Sequence, residues 1–188
     1  MSVKSLNCFL VPAAEKPADS TIQRFNDSTI LITNRQRMKK INTRSLKLII
    51  ETLVAELEIA EVELGINLVG AKEMARVNWQ FLEHEGSTDV ITFDHRNHPS
   101  RITHHASAIH GELFICVDDA VAQAKEFGSS WQSEVVRYVV HGVLHLLGHD
   151  DLKPDLRRKM KRVENRLVRR LEKRFTLAQL SRTTKISA

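Results

Sequence analysis

Apolar residues along the chain recur with two distinct periods. Leu46, Ile49, Ile50, Leu53, Val54 and Leu57 follow at intervals of three and four, the stripe of an amphipathic helix opened by an N-cap at Thr43. Met74, Val77, Phe81 and Leu82 predict the inner face of a second helix over residues 71–84. A third helix is expected from Asp118 to Phe127, stopped by Gly128, since a residue without a β-carbon suits a left-handed terminator. Ser129 or Ser130 caps a fourth. Pro154 stands in the first turn of a last helix with Leu156, Met160, Val163, Leu167 and Leu171 on one stripe. Short β-branched or apolar runs at Ser28–Thr33, Ile66–Val69, Asp89–Phe93 and Leu113–Val117 read as strands. Strands interleaved with helices predict a single-domain α+β fold, a four-stranded mixed sheet packed with about five to six helices.

Outside this pattern the chain expects two tails. Residues 1–27 are polar, carry Pro12 and Pro17 and show no sustained period, and residues 176–188 follow the last stripe, leaving 28–175 as the folded domain. The apolar patch Cys8–Val11 is too short for the core of a signal peptide. No run approaches the ~20 apolar residues of a membrane-spanning helix, so no membrane partner is expected. Two cysteines, Cys8 and Cys116, make no disulfide framework, and together these features predict a cytoplasmic protein.

The net charge of +5 is unevenly spread. Lys153–Arg174 holds eleven Lys or Arg against three acids, so the last helix has a strongly basic face. A polyanion is its natural partner, nucleic acid foremost, the alternative being a solvated helix face; Arg157, Arg158, Lys161 and Arg162 are the candidate contacts. A loop over 94–110 holds five of the nine histidines, His95, His98, His104, His105 and His110, to which no role is assigned.

Candidate chemistry concentrates at Val135–Asp151, where a helix apolar nearly all round carries His141 and His145. A spacing of four places both imidazoles on one face, within reach of one ion. Gly148 can end the helix and turn the chain back, after which Asp151 can return a carboxylate as third ligand. On an unbroken helix His149 would lie ~12 Å from His141 along the axis, so Asp151 is preferred to His149. Three protein ligands with a fourth position for water are the layout of a catalytic zinc site, one ion per chain, on a buried helix; nickel or manganese are also compatible with the donor set. Zinc peptidases of this helical type carry Glu directly after the first histidine as general base, and here that residue is Gly142. The metal's own water aside, no catalytic side chain is assigned.

At these residues the sequence resembles the YbeY family of bacterial metal-dependent endoribonucleases. HGVLHLLGHDD (residues 141–151) is similar to the family form HGxLHLxGYDH, and NWQFLEHEGSTDVITF (78–93) to NxxYRxxDxPTDVLSF. GELFICV (111–117) matches the G-[DE]-[IL] strand that precedes the metal-site helices, and order and spacing agree across residues 28–170. The departures are Asp151 where the family has its third histidine, His149 in place of Tyr, and Leu82 where the family has an arginine implicated in catalysis. Arg76 and Arg137 are the cations that could substitute. The resemblance implies a zinc-dependent, single-strand-preferring endoribonuclease acting in small-subunit rRNA 3′-end maturation and ribosome quality control, with the rRNA precursor and the ribosomal small subunit as partners. A metzincin-like zinc metallopeptidase and a non-catalytic, metal-containing ribosome-assembly factor are the rival readings.

Overall fold

Two long apolar strands organise the molecule. The computed structural model describes residues 8–12, 29–96 and 108–181. β3 (Glu61–Val69) and β5 (Ala108–Cys116) lie side by side in parallel, from Glu61 opposite Ala108 to Val69 opposite Cys116. Both are longer than their apolar halves suggest. The first residues of β3 alternate polar side chains with buried ones, and the first half of β5 is buried but carries His110 and Gly111, so neither first half reads as an apolar strand. β2 (Thr29–Asn34) adds in parallel to β3, and β4 (Val90–Asp94) runs antiparallel to β5.

The sheet has a fifth strand. β1 (Cys8–Pro12) pairs in parallel with β4, giving the order β1-β4-β5-β3-β2. This corrects the expectation of a tail for these residues. Five residues are too few to show a period, and the segment becomes a strand because β4 offers it an unpaired edge. Pro12 closes that strand at the sheet margin, where its missing N–H costs no ladder bond. The rest of the tail expected over residues 1–27 lies outside the described residues.

Side chains alternate across β4 to serve two cores. Val90 joins the main core with α1 (Thr43–Glu56), α3 (Val117–Phe127), α4 (Trp131–Leu146) and α5 (Pro154–Arg174), while Ile91 and Phe93 face a smaller one with Met74 and Val77 of α2 (Ala71–Leu82). Helix ends follow local chemistry. Asn42 rather than Thr43 caps α1, its Oδ1 accepting from the Ser45 N–H. Ser130 caps α4 by accepting from Ser133, and Gly128 ends α3 at φ 65°. On α2 the inner face is Met74, Val77 and Asn78. Phe81, expected inside, is 38% exposed and leans edge-on against Phe93, because the helix ends before the second core can enclose it.

The expected C-terminal tail is also partly structured. Leu177–Ser181 form a short 3-10 turn after α5, and Leu180 is fully buried against the main core. A single apolar anchor has no period to betray it. Leu180→Ala should therefore lower the unfolding free energy by about 2–4 kcal/mol in urea titration, with Leu152→Ala, at an exposed position, near wild type.

Candidate metal centre

α4 is buried over nearly its whole length, from Ser133 to Leu146 save Arg137, and it is held against β5 by two glycines. A β-carbon on Gly142 would lie 2.6 Å from Leu113 Cδ2, and one on Gly111 would lie 2.5 Å from the Phe93 carbonyl oxygen and 2.7 Å from Leu146 Cδ2. Position 142 therefore faces the sheet, not the histidines' open side. A glutamate there would have to enter the core, so the missing peptidase base is a consequence of packing.

The helix breaks where expected. Gly148 adopts φ 85°, the Gly148 N–H donates to the His145 carbonyl at 2.8 Å, and the His149 N–H donates to the Leu144 carbonyl at 3.0 Å. The reversed chain carries Asp151 back over the last turn. Arg157 Nε donates to the Asp151 carbonyl at 3.0 Å, and Asp150 Oδ1 accepts from the Leu152 N–H at 2.9 Å, so this loop is pinned from both sides.

The turn brings three ligand atoms together. His141 Nε2 and His145 Nε2 are 3.1 Å apart, and the Asp151 carboxylate oxygens lie 4.0 Å and 3.9 Å from them. Two imidazoles bound ~2.05 Å from a tetrahedral ion would be ~3.3 Å apart, so the pair already has the required separation. Among the described residues, His141, His145 and Asp151 are the group that could hold a metal. His141 and His145 are buried, Asp151 nearly so, and His149, half-buried, is outside the group. The histidines of the 94–110 loop are likewise elsewhere. His110 is buried in β5 beside Glu61 and Glu63, His95 sits 3.6 Å from Glu112, and His98, His104 and His105 lie outside the described residues.

Electrostatics support the convergence. Burial, and after it the charge of His141, lowers the His145 pKa to about 4, so this ring is neutral at neutral pH. His141 Nδ1 is 2.9 Å from Glu164 Oε2, which assigns the ring proton to Nδ1 and turns the Nε2 lone pair toward His145 and Asp151. Glu164 is fully buried on α5 and also accepts from Arg137 Nη1 at 2.5 Å and Lys161 Nζ at 3.1 Å. Burial alone would raise its pKa, but the hydrogen bond from His141 and the charges of Lys161, His141 and Arg137 outweigh it and pull the value down to about 2.

Glu164 was missed in the sequence, although a signal existed. It stands four residues after Met160 and three before Leu167, a carboxylate on the apolar stripe. Asp89 is the other missed residue. It is buried, with Oδ1 accepting from the Val90 N–H and the Thr88 hydroxyl, and burial raises its pKa against the opposing pull of that amide and of His141.

The remaining candidates are dispersed. Arg158 pairs with Asp155, Lys161 turns inward to Glu164, Arg157 reaches the Asp151 carbonyl and Arg162 is exposed. Of the two substitute cations, Arg137 is held by Glu164 and Asn165 and Arg76 points to solvent from α2. Leu82 is half-buried against the second core, so no cation occupies its position.

Fold and site together define a mixed-sheet α+β protein in which His141, His145 and Asp151, converging at the end of a buried helix, could hold a metal. The comparisons with known proteins agree. The family profile described as Endoribonuclease YbeY matches residues 31–172, and the chain belongs to the YbeY family. An endoribonuclease YbeY from Salinibacter ruber is 31% identical over 128 residues, covering 68% of this chain and 82% of that protein. One from Chlorobium phaeovibrioides is 30% identical over 141 residues, 75% of this chain and 89% of the relative. The solution structure of TM1509 from Thermotoga maritima superposes with a TM-score of 0.59 over 85% of this chain and all of that one; at 22% identity it attests the fold.

Because Glu164 is ionised in the fold, its contribution to stability is complete above the ordinary 4.5 and is lost as pH falls toward about 2. Glu164→Ala should cost about 3 kcal/mol or more at pH 7, removing the carboxylate that Arg137, His141 and Lys161 share, and Glu164→Gln less. Denaturant titrations at descending pH should show the gap between wild type and Glu164→Gln narrowing below that upper value.

Proposed function

We propose that this chain is a metal-dependent endoribonuclease that cuts single-stranded RNA, acting in the cytoplasm on the 3′ end of small-subunit rRNA precursor and in ribosome quality control. The convergence of His141, His145 and Asp151, in a chain of the YbeY family, carries the reading. His141 Nε2, His145 Nε2 and the Asp151 carboxylate would hold one divalent ion, zinc foremost and nickel or manganese also suited to the donors. When bound, such an ion supplies Lewis acidity toward a phosphoryl oxygen and a more acidic water.

The chain's own residues do the rest. Glu164 keeps the His141 proton on Nδ1, burial keeps His145 neutral, and Arg157 fixes the Asp151 loop through its carbonyl. The basic face of α5, with Arg157, Arg158, Lys161 and Arg162, attracts the phosphate backbone; Arg157, Arg158 and Arg162 are exposed to it, while Lys161 adds its charge from beside Glu164. The closed position at Gly142 disfavours peptide hydrolysis, which would need a base there.

Purified protein should contain about one divalent ion per chain by elemental analysis and cleave single-stranded RNA in a chelator-sensitive manner, leaving casein intact. His145→Ala and Asp151→Ala should lose the ion, while His149→Ala keeps it. Full occupancy in Asp151→Ala would overturn the ligand assignment. A folded, metal-loaded protein that leaves rRNA precursor uncut would transfer the reading to a non-catalytic assembly factor.

The absence of a cation at Leu82 has its own consequence. A preorganised positive charge near the phosphoryl oxygens is worth a few kcal/mol, so this chain should cut RNA about a hundredfold more slowly than a relative with arginine there. Leu82→Arg should raise the rate relative to Leu82→Met, with melting temperature reporting any loss of packing against Met74 and Val77.

A further inference from the structure

A second basic surface lies beyond the far end of α5. Between Asn34 and Lys47 the sequence carries Arg35, Arg37, Lys39, Lys40, Arg44 and Lys47 with no acid among them. Arg35 is engaged, donating to Glu73 at 2.8 Å and to Asn67 at 3.2 Å. Among the described residues, no carboxylate pairs with Arg37, Lys39, Lys40, Arg44 or Lys47. Arg37, Lys40, Arg44 and Lys47 are exposed, and Met38, 50% exposed, adds a polarizable apolar contact between them.

The segment bearing these cations is built, not loose. Gln36 is buried at its centre, its Nε2 donating to Asn34 Oδ1 at 3.0 Å and to the Lys39 carbonyl at 2.7 Å while its Oε1 accepts from the Lys39 N–H at 2.9 Å. The Arg35 and Gln36 N–H groups both donate to the Leu68 carbonyl at the end of β3. Asn42 caps α1, and its own N–H donates to the Leu180 carbonyl at 2.8 Å, which joins the loop to the turn that follows α5.

That junction relates the loop to the metal centre. The first half of α5 carries Arg157 on the Asp151 carbonyl and Glu164 on His141; its far end leads through Leu177–Ser181 to Asn42. Between the two lie the exposed Arg162, Arg166, Arg169, Lys173 and Arg174. Cations thus recur from the metal centre along α5 to the loop.

We propose that Arg37, Lys39, Lys40, Arg44 and Lys47 form a second contact site for the backbone of single-stranded RNA whose scissile stretch lies at His141, His145 and Asp151, with α5 as the track between. This rests on the endoribonuclease reading for its far end. The affinity comes from release of counterions by the phosphates, and a loop already held by Gln36 loses little entropy on binding. From Arg157, which touches the Asp151 loop, to Arg174 α5 rises ~25 Å, about seven nucleotides of a stacked strand before the turn to Asn42 is added, so only longer RNAs reach both sites.

The test compares wild type with the combined variant Arg37→Gln, Lys40→Gln, Arg44→Gln and Lys47→Gln. Metal-loaded protein is mixed with fluorescent single-stranded RNAs of ~6 and ~24 nucleotides, and polarisation is read by stopped flow before turnover. The long RNA should bind the variant about tenfold more weakly, with a log–log salt slope shallower by about three, and the short RNA equally well. Equal loss for both lengths, or none for either, overturns the proposal. So does an unchanged affinity for RNA with lost binding to phosphatidylglycerol vesicles, which would assign the loop to a membrane surface. Wild type that binds neither RNA would instead bring down the endoribonuclease reading itself. Lys40→Glu alone, in the exposed loop, repeats the comparison should the combined variant melt early.

Discussion

The contact on which the rest of the molecule turns is the one between Glu164 and His141. A carboxylate with no exposed surface survives there because a ring N–H, a guanidinium and an ammonium surround it. Those bonds lock α5 to α4 at a single register. They also decide which nitrogen of His141 keeps its proton, and therefore which nitrogen faces His145 and Asp151. One buried charge thus serves tertiary packing and site chemistry at once. Arg137, which from the sequence could have supplied a cation to a substrate, is drawn into this cluster and held there.

Close packing imposes the second constraint. Gly111 and Gly142 let α4 approach the middle of the sheet to a distance that any β-carbon would prevent. This brings the histidines into the interior, where His145 remains neutral, and it removes position 142 from the open side of the centre. The absent glutamate and the buried ligand helix have a common cause. What separates this centre from a helical zinc peptidase is the geometry of helix against sheet as much as the identity of a residue.

Charge is organised at a finer scale than its total. The bases of Lys153–Arg174 dominate the net balance, and the acids of β3 and the surrounding loops cancel those of residues 35–47 in any sum over the remainder. The run is free of acids in the sequence, and the fold decides which of its cations stay unpaired. Arg35 is tied to Glu73 across the end of the sheet, while Arg37 and Lys40 project from a loop fastened by Gln36 and Arg44 and Lys47 from the first turns of α1 that follow it.

The sequence by itself determined whatever depends on near neighbours in the chain. The stripes of α1 and α5, the stops at Gly128 and Gly148, and the shared face of His141 and His145 all follow from periods of three to five residues, and each is present. So is the return of Asp151, because the left-handed turn before it is a local property of glycine. The tertiary structure alone decided whatever depends on distant partners. Cys8–Pro12 become a strand because β4 has a free edge, and Leu177–Ser181 pack because Leu180 finds the main core. Phe81 stays at the surface because α2 ends where it does, and Glu164 is a structural anchor because α5 meets α4 at His141. Local geometry is set by a few consecutive dihedral angles and can be read from residue spacing; the meeting of remote segments depends on the summed packing of the whole chain, which no short window of sequence contains.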